Sequence, residues 1–272
     1  MKRPPFASLL RTTLDRRGPY TRIGRARQRL SVGLCILVLV GTPACGSDDK
    51  TAPDTQTAPI DLVDPSGMPY GNTYAGWSAG WMQYAMSYKP PGCENPYLDE
   101  TGGNCRLYQD PQSPVFYLSG NLGGVSVRDE CVAPAGKALF FPVVIAFADN
   151  AGVPADMWVS DDGLKSYVEA MYTATYVDSL HVSVDGHAIG DLERGGVMSA
   201  PYTVDFASDG NAYTCSMVDG VEGPYSGYIG GYWAMLPPLS KGRHEIAFGG
   251  SSSDPTQSNV LVIDVTYSLT VE

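Results

Sequence analysis

The residues that could carry out chemistry are few and scattered. Imidazole chemistry is limited to His181, His187 and His244. No two of them stand in an H-x-H or H-E-x-x-H spacing, so a zinc hydrolase is not expected. Gly76-Trp77-Ser78-Ala79-Gly80 spells the letters of a nucleophile elbow. An elbow needs a strand-to-helix turn, however, and this stretch lies inside a predicted helix. Gly227 to Gly231 is rich in glycine but is not followed by Lys-Ser or Lys-Thr, so it does not form a phosphate cradle. No cofactor is implied. Asp149, Asp156, Asp161 and Asp162 gather around Trp158. Their spacing matches no D-x-D-x-D-G loop ending in Glu, so no metal is expected, with calcium as the competing reading of an acidic loop. A carboxylate pair for glycoside hydrolysis is defined by separation in space, which a list of acids does not give. That leaves aromatic side chains. Trp158 in its acidic loop, with Tyr225 and Tyr228 beside the glycine-rich turn, are the candidate ligand-binding residues, because stiff, exposed rings stack on sugars at small entropic cost.

These residues have to be positioned by a chain with an export-type beginning. Residues 1–30 hold nine Lys or Arg and one acid, and an apolar run over 31–40 leads to Gly41-Thr42-Pro43-Ala44-Cys45. A basic segment, a short apolar segment and small residues before a cut describe an export signal over residues 1–44. Cys45 followed by Gly46-Ser47-Asp48-Asp49 resembles the lipobox of bacterial lipoproteins, which implies lipidation at Cys45 and an anchor in the bacterial cell envelope. An ordinary cut after Ala44, giving a secreted protein, is the alternative. Residues 45–69 read as the lipidated Cys and a flexible linker, since Ser, Thr, Asp, Pro and Ala bury little surface. Residues 70–272 read as one folded domain. Without residues 1–44, nine Lys or Arg face 28 acids, a charge of about −19 against −11 for the whole chain. Nucleic acid is therefore excluded as a partner, and the membrane is met through the lipid anchor alone.

Cys93, Cys105, Cys131 and Cys215 remain in the exported part, and no C-x-x-C pair suggests a metal. Disulfides are expected. A bridge from Cys105 to Cys131 would clamp the apolar run Val115-Phe116-Tyr117-Leu118 and its returning arm, leaving Cys93 for Cys215.

The periodicities predict a mainly β fold with two packed helices. A helix from 72 or 73 to 88 carries Tyr74, Trp77, Trp81, Tyr84 and Tyr88 on one face, assigned to core packing. A second helix runs from 161 or 162 to 176, with an Asp as its cap. Val115 to Leu118 and Ala138 to Phe147 are apolar runs expected to be the central strands, buried on both faces. Strands follow near 180–184, 202–206, 225–236, 243–248 and 260–271. In the last, Leu261, Ile263, Val265, Tyr267, Leu269 and Val271 alternate with polar residues. The segment from Pro237 to Gly242 reads as a turn that brings Trp233 and Phe248 into one core. His181 alternates away from the apolar side and is expected in solvent.

Several stretches together resemble a family of exported bacterial proteins to which no activity is attached. They are Tyr70-Gly71 with the Trp77 to Trp81 helix, Ser113 to Leu118, the block Cys131-Val132-Ala133-Pro134-Ala135-Gly136-Lys137-Ala138-Leu139-Phe140-Phe141-Pro142, Val184-Asp185-Gly186, and Pro238-Leu239-Ser240-Lys241-Gly242-Arg243-His244. The resemblance spans nearly the whole domain and implies secretion, but it contributes no catalytic residue or ligand. The expected fold is a β-sandwich, jelly-roll or immunoglobulin-like, with two packed helices. The expected function is a non-catalytic surface module that binds carbohydrate or another extracellular polymer, with an extracellular polysaccharide as the expected partner. An envelope hydrolase using a carboxylate pair and a purely structural surface protein are the alternatives.

Overall fold

The structure is a computed structural model and describes residues 60–86, 94–207, 211, 221–253 and 260–272. Two mixed sheets face each other as a β-sandwich, with helices α1 (Tyr74–Met86) and α2 (Asp161–Thr173) packed on it. Sheet A holds β1 (Val115–Tyr117), β4 (Ala138–Asp149), β9 (Gly223–Leu236) and β7 (Gly196–Met198) in that order, with β8 (Tyr202–Phe206) also on β9. Sheet B runs β2 (Gly124–Arg128), β11 (Val260–Val271), β10 (Gly242–Ser253), β5 (Thr175–Val184) and β6 (His187–Ala188), with β3 (Val132–Ala133) also on β11. No helix among the described residues is long and apolar enough to cross a membrane.

β4 is the central strand of sheet A, as its apolar run demands: Leu139, Phe141, Val143 and Val144 face sheet B while Ala138 and Phe140 face α1. A bulge between Pro142 and Val144 reverses the alternation, so that Ile145 and Phe147 also point toward the α1 side. Gly231, at φ 146°, lies against this bulge, where a Cβ would stand 2.2 Å from the Val144 carbonyl oxygen. β1, by contrast, is an edge strand paired in parallel with β4, not a central one. Its burial comes from α1, whose Trp81 Nε1 donates to Leu118 O at 2.9 Å. Thr73 caps α1, its Oγ1 accepting from Gly76 N–H at 3.0 Å. Tyr74, Trp81 and Tyr84 are buried and Trp77 is partly so, which makes the aromatic stripe core. The stacked Phe140 and Trp233 rings, 5.0 Å apart, are the floor on which it rests.

Five expectations are corrected. The arm after Val115 to Leu118 does not return as a hairpin: the chain crosses to sheet B and runs as β2 and β3 parallel to β11. Cys105 and Cys131 are bonded as expected, but the bridge ties the 94–114 loop to the link between β2 and β3. Cys93 and Cys215, like Cys45 and Tyr88, lie outside the described residues. The segment from Pro237 likewise carries the chain from sheet A to sheet B. Trp233 therefore packs under α1, while Phe248 packs tilted against Phe141, ring centroids 4.5 Å apart, between the sheets. α2 is capped by Ser160, whose side chain accepts from Gly163 N–H, and it stops at Thr173 because the chain enters β5 at Thr175. Residues 60–63, expected within the linker, are packed: Ile60 and Leu62 lie on the inter-sheet core, and Val63 N–H donates to Met235 O at 2.9 Å. Three large aliphatics in four residues supply the surface that the preceding polar stretch lacks.

β11 behaves as its period of two requires, with Ile263, Val265, Tyr267, Leu269 and Val271 buried. His181 is exposed on the outer face of sheet B, 3.9 Å from Asp264.

Candidate functional site

The loop from β4 to α2 is built to hold Trp158 out. Asp149, fully buried at the end of β4, accepts hydrogen bonds from Ala151 N–H and from the Tyr202 hydroxyl, both at 2.9 Å, which fixes the loop base to β8. Asn150 spans the loop, donating to Val159 O and accepting from Val159 N–H, each at 2.9 Å. Between these braces Pro154 leads into a single 3₁₀ turn, Ala155–Met157, which delivers Trp158. The Trp158 indole N–H is satisfied inside the loop by Val153 O at 2.8 Å, yet the residue remains 55 % exposed. Its neighbour Met157 is also exposed.

Tyr225 on β9 meets Trp158 edge to face, with ring centroids 6.3 Å apart, and leans in turn on buried Phe206 at 5.9 Å. The three rings form a graded series from core to solvent, so the outermost ring is held in place before any ligand arrives. Tyr228 does not join them. Three positions along β9 from Tyr225, it points to the other face of sheet A and packs with Leu164 and Val168 of α2. The structure thus unites two of the three expected ligand residues and places the third against the second helix. Strand parity decides this, and it was legible, since both residues fall on the strand read over 225–236 and three positions apart on a strand are opposite faces.

The surroundings are acidic. Among the described residues, 149–162, 199–207 and 221–236 contain six Asp or Glu and no Lys, Arg or His. Among the described residues no group of three or more His, Cys, Asp or Glu is arranged to hold a metal ion.

Two other places test whether the chain carries out chemistry. Ser78, the serine of the elbow-like letters, is buried in α1 and donates to Ala75 O at 2.8 Å, as helical context requires. A second constellation escaped sequence reasoning. His244 Nδ1 lies 2.7 Å from Asp185 Oδ2, and its Nε2 lies 3.3 Å from Ser240 Oγ. The residue types and distances are those of a Ser-His-Asp triad. Nε2 is closer still, at 2.9 Å, to the Ser240 carbonyl oxygen, which can only accept a hydrogen bond. The carbonyl is the nearer of the two Nε2 neighbours, so the imidazole is engaged by the Ser240 backbone as well as by Asp185 and is not directed at the hydroxyl alone. The trio is a stitch between the β5–β6 turn and the β9–β10 connection, reinforced by Glu245 N–H donating to Asp185 Oδ1 at 2.8 Å.

Arg128 is a buried cation without a role in a cleft. Its Nη1 reaches Tyr267 Oη at 2.7 Å and the Pro96 and Ser119 carbonyls at 3.3 Å, and its Nη2 reaches Gly120 O at 2.8 Å and Tyr97 O at 3.4 Å. It gathers three segments around the Tyr267 ring and acts as a clamp. Nothing in an isolated Arg at the end of a five-residue strand announces this.

Comparison of the chain with family models, with curated proteins and with solved structures finds no match in any of the three. The functional reading therefore rests on the geometry above.

Proposed function

We propose that this chain is a cell-envelope lipoprotein, anchored through Cys45, whose β-sandwich domain is a non-catalytic module binding an extracellular polysaccharide. One observation carries the reading: Trp158 stays more than half exposed although its loop is braced at both ends and its polar atom is already satisfied. An apolar ring held in water at a fixed angle is a stacking surface for the C–H face of a sugar. The anchor expectation rests on the sequence around Cys45, and the resemblance to exported bacterial proteins agrees with a surface location. The acidic surroundings favour neutral or amino-bearing polymers over uronate or sulfated ones, which would be repelled.

The test is affinity electrophoresis through gels containing neutral glucans or chitin-type polymers, with an alginate gel as the acidic comparison. The wild-type chain is expected to be retarded in at least one neutral gel, and Trp158→Ala to migrate freely. Equal migration of the two proteins in every gel refutes the binding module. Turnover of the polymer that disappears when a single Asp or Glu is replaced would make the chain a hydrolase instead.

A further inference from the structure

Sheet B ends on a strand with one open side. β2 pairs with β11 in parallel, from Gly124 beside Ile263 to Arg128 beside Tyr267, and among the described residues no strand pairs with its other edge. Strand alternation turns Arg128 inward, where it is buried, and leaves Val125 and Val127 on the outer face, 74 % and 61 % exposed. On that same face β11 shows Val260 and Val262, about half exposed, and Leu122 stands exposed at the entry to β2. Five aliphatic side chains therefore border a row of backbone N–H and C=O groups.

Folded proteins guard such edges with Lys, Pro, inward charges or bulges, because an open edge is a template for another strand. β2 carries none of these on its outer face. Its single charge, Arg128, is committed to the clamp, and residues 121–127 contain no charged side chain at all. Asp129 and Glu130 lie just past the C-terminal end of β2, both exposed, and Asp264, beside Val125 on β11, lies 3.9 Å from His181. In a chain with 11 more acids than bases, this is an edge where two copies can meet without bringing like charges together.

The strand is also its own complement. Antiparallel pairing of β2 with a second β2 about a twofold axis through Ser126 sets Val125 of each copy opposite Val127 of the other. A register centred on a residue works whichever alternate set of backbone groups faces outward. We infer that β2 is a self-association edge: two copies of this chain pair β2 to β2 antiparallel about Ser126 and join their B sheets, with a valine pair on either side of the axis. A second copy fits better than a charged foreign strand, because the seam offers apolar contact and backbone hydrogen bonds and no charge to answer.

Sedimentation velocity of the purified chain over a wide concentration range tests this, with Val125→Lys/Val127→Lys as the comparison. Both positions are exposed, so the variant should keep the wild-type unfolding midpoint, which is measured alongside. Wild type is expected to show a monomer–dimer equilibrium, and the double variant to associate about a hundredfold more weakly, two Lys per copy meeting at the seam. Hydrogen exchange supplies a second readout: amides in residues 124–127 should exchange more slowly as concentration rises. A wild-type chain that remains monomeric at the highest soluble concentration overturns the inference. So does a dimer that persists in the double variant, or concentration-dependent protection confined to another face.

Discussion

Replacing Arg128 by Met removes the clamp while keeping most of its apolar volume. Two considerations compete. A buried cation held by backbone carbonyls and a hydroxyl bears a desolvation cost, and apolar replacement of buried charges can be neutral or stabilising when everything they touched is replaced as well. Here the partners stay behind. The carbonyls of Pro96, Tyr97 and Gly120 each lose a donor, while Ser119 O retains the Tyr267 hydroxyl at 3.0 Å. The Tyr267 oxygen loses its incoming bond from the guanidinium, and the cation over its ring, 5.5 Å from the centroid, is gone. An unsatisfied buried acceptor costs about 1–3 kcal/mol, and part of this is recovered as water enters the loops. A net loss of about 3–5 kcal/mol follows for Arg128→Met. Arg128→Lys should lose about half of that, since an ammonium keeps the charge but cannot reach acceptors on three segments at once. In urea unfolding followed by tryptophan fluorescence, with a slope of about 2–3 kcal/mol per molar, the Met variant should unfold roughly 1–2 M earlier. A Met variant within about 0.3 M of wild type would show that the desolvation term wins and that Arg128 is not a clamp.

Other expectations can be stated briefly. Reducing the Cys105–Cys131 bridge, or replacing it with a Ser pair, should lower stability by about 3 kcal/mol in the chain-entropy picture for a sequence separation of 26; four free thiols in a non-reducing peptide map would remove the basis for this. Burial pushes Tyr97 up to about 12, with Arg128 partly opposing it, and burial likewise raises Tyr74, Tyr84, Tyr117 and Tyr267. The unfolded chain gives up these protons near pH 10, before the folded one does, so their contribution is intact below about pH 10 and is lost as pH rises toward 12. Phenolate absorbance from these five tyrosines should appear together with cooperative unfolding in that window, and complete titration of all 17 tyrosines near pH 10 in a folded protein would contradict the burial. Cys45→Ser should move the protein from the membrane fraction to the soluble one, because stable anchoring takes more than one acyl chain; unchanged fractionation with no acyl group by mass spectrometry would refute the anchor.

How much of this was legible in the sequence depends on whether the signal was local. The alternation of β11, the turn at Asp185-Gly186 and the aromatic stripe of α1 from Tyr74 to Tyr84 are short-range patterns, and each appears as read. The errors arose where the chain changes sheet. A turn signal at Pro237 to Lys241 says that the direction reverses, but not whether the next strand pairs beside its predecessor or crosses the sandwich. That choice separated Trp233 from Phe248. β1 looked central because it is apolar on both faces, yet α1 can cover an edge strand as well as a neighbouring strand can. Of the site, Trp158 was legible as an aromatic residue in a polar loop, whereas its partnership with Tyr225 depends on the β8–β9 pairing that brings the loop base to Tyr202. Arg128, Asp185 with His244, and the open edge at β2 are all products of tertiary contact and have no local signature.

The most direct test of the binding module is to watch Trp158 itself. The chain has four tryptophans, and among their indole N–H groups that of Trp158 belongs to the exposed ring, with Trp81 and Trp233 in the core and Trp77 partly buried. In ¹H–¹⁵N correlation spectra, titration with oligosaccharides of a polymer that retards the protein should shift the Trp158 indole signal saturably and leave those of Trp81 and Trp233 in place. Saturable binding that shifts other signals and leaves Trp158 untouched would contradict the account.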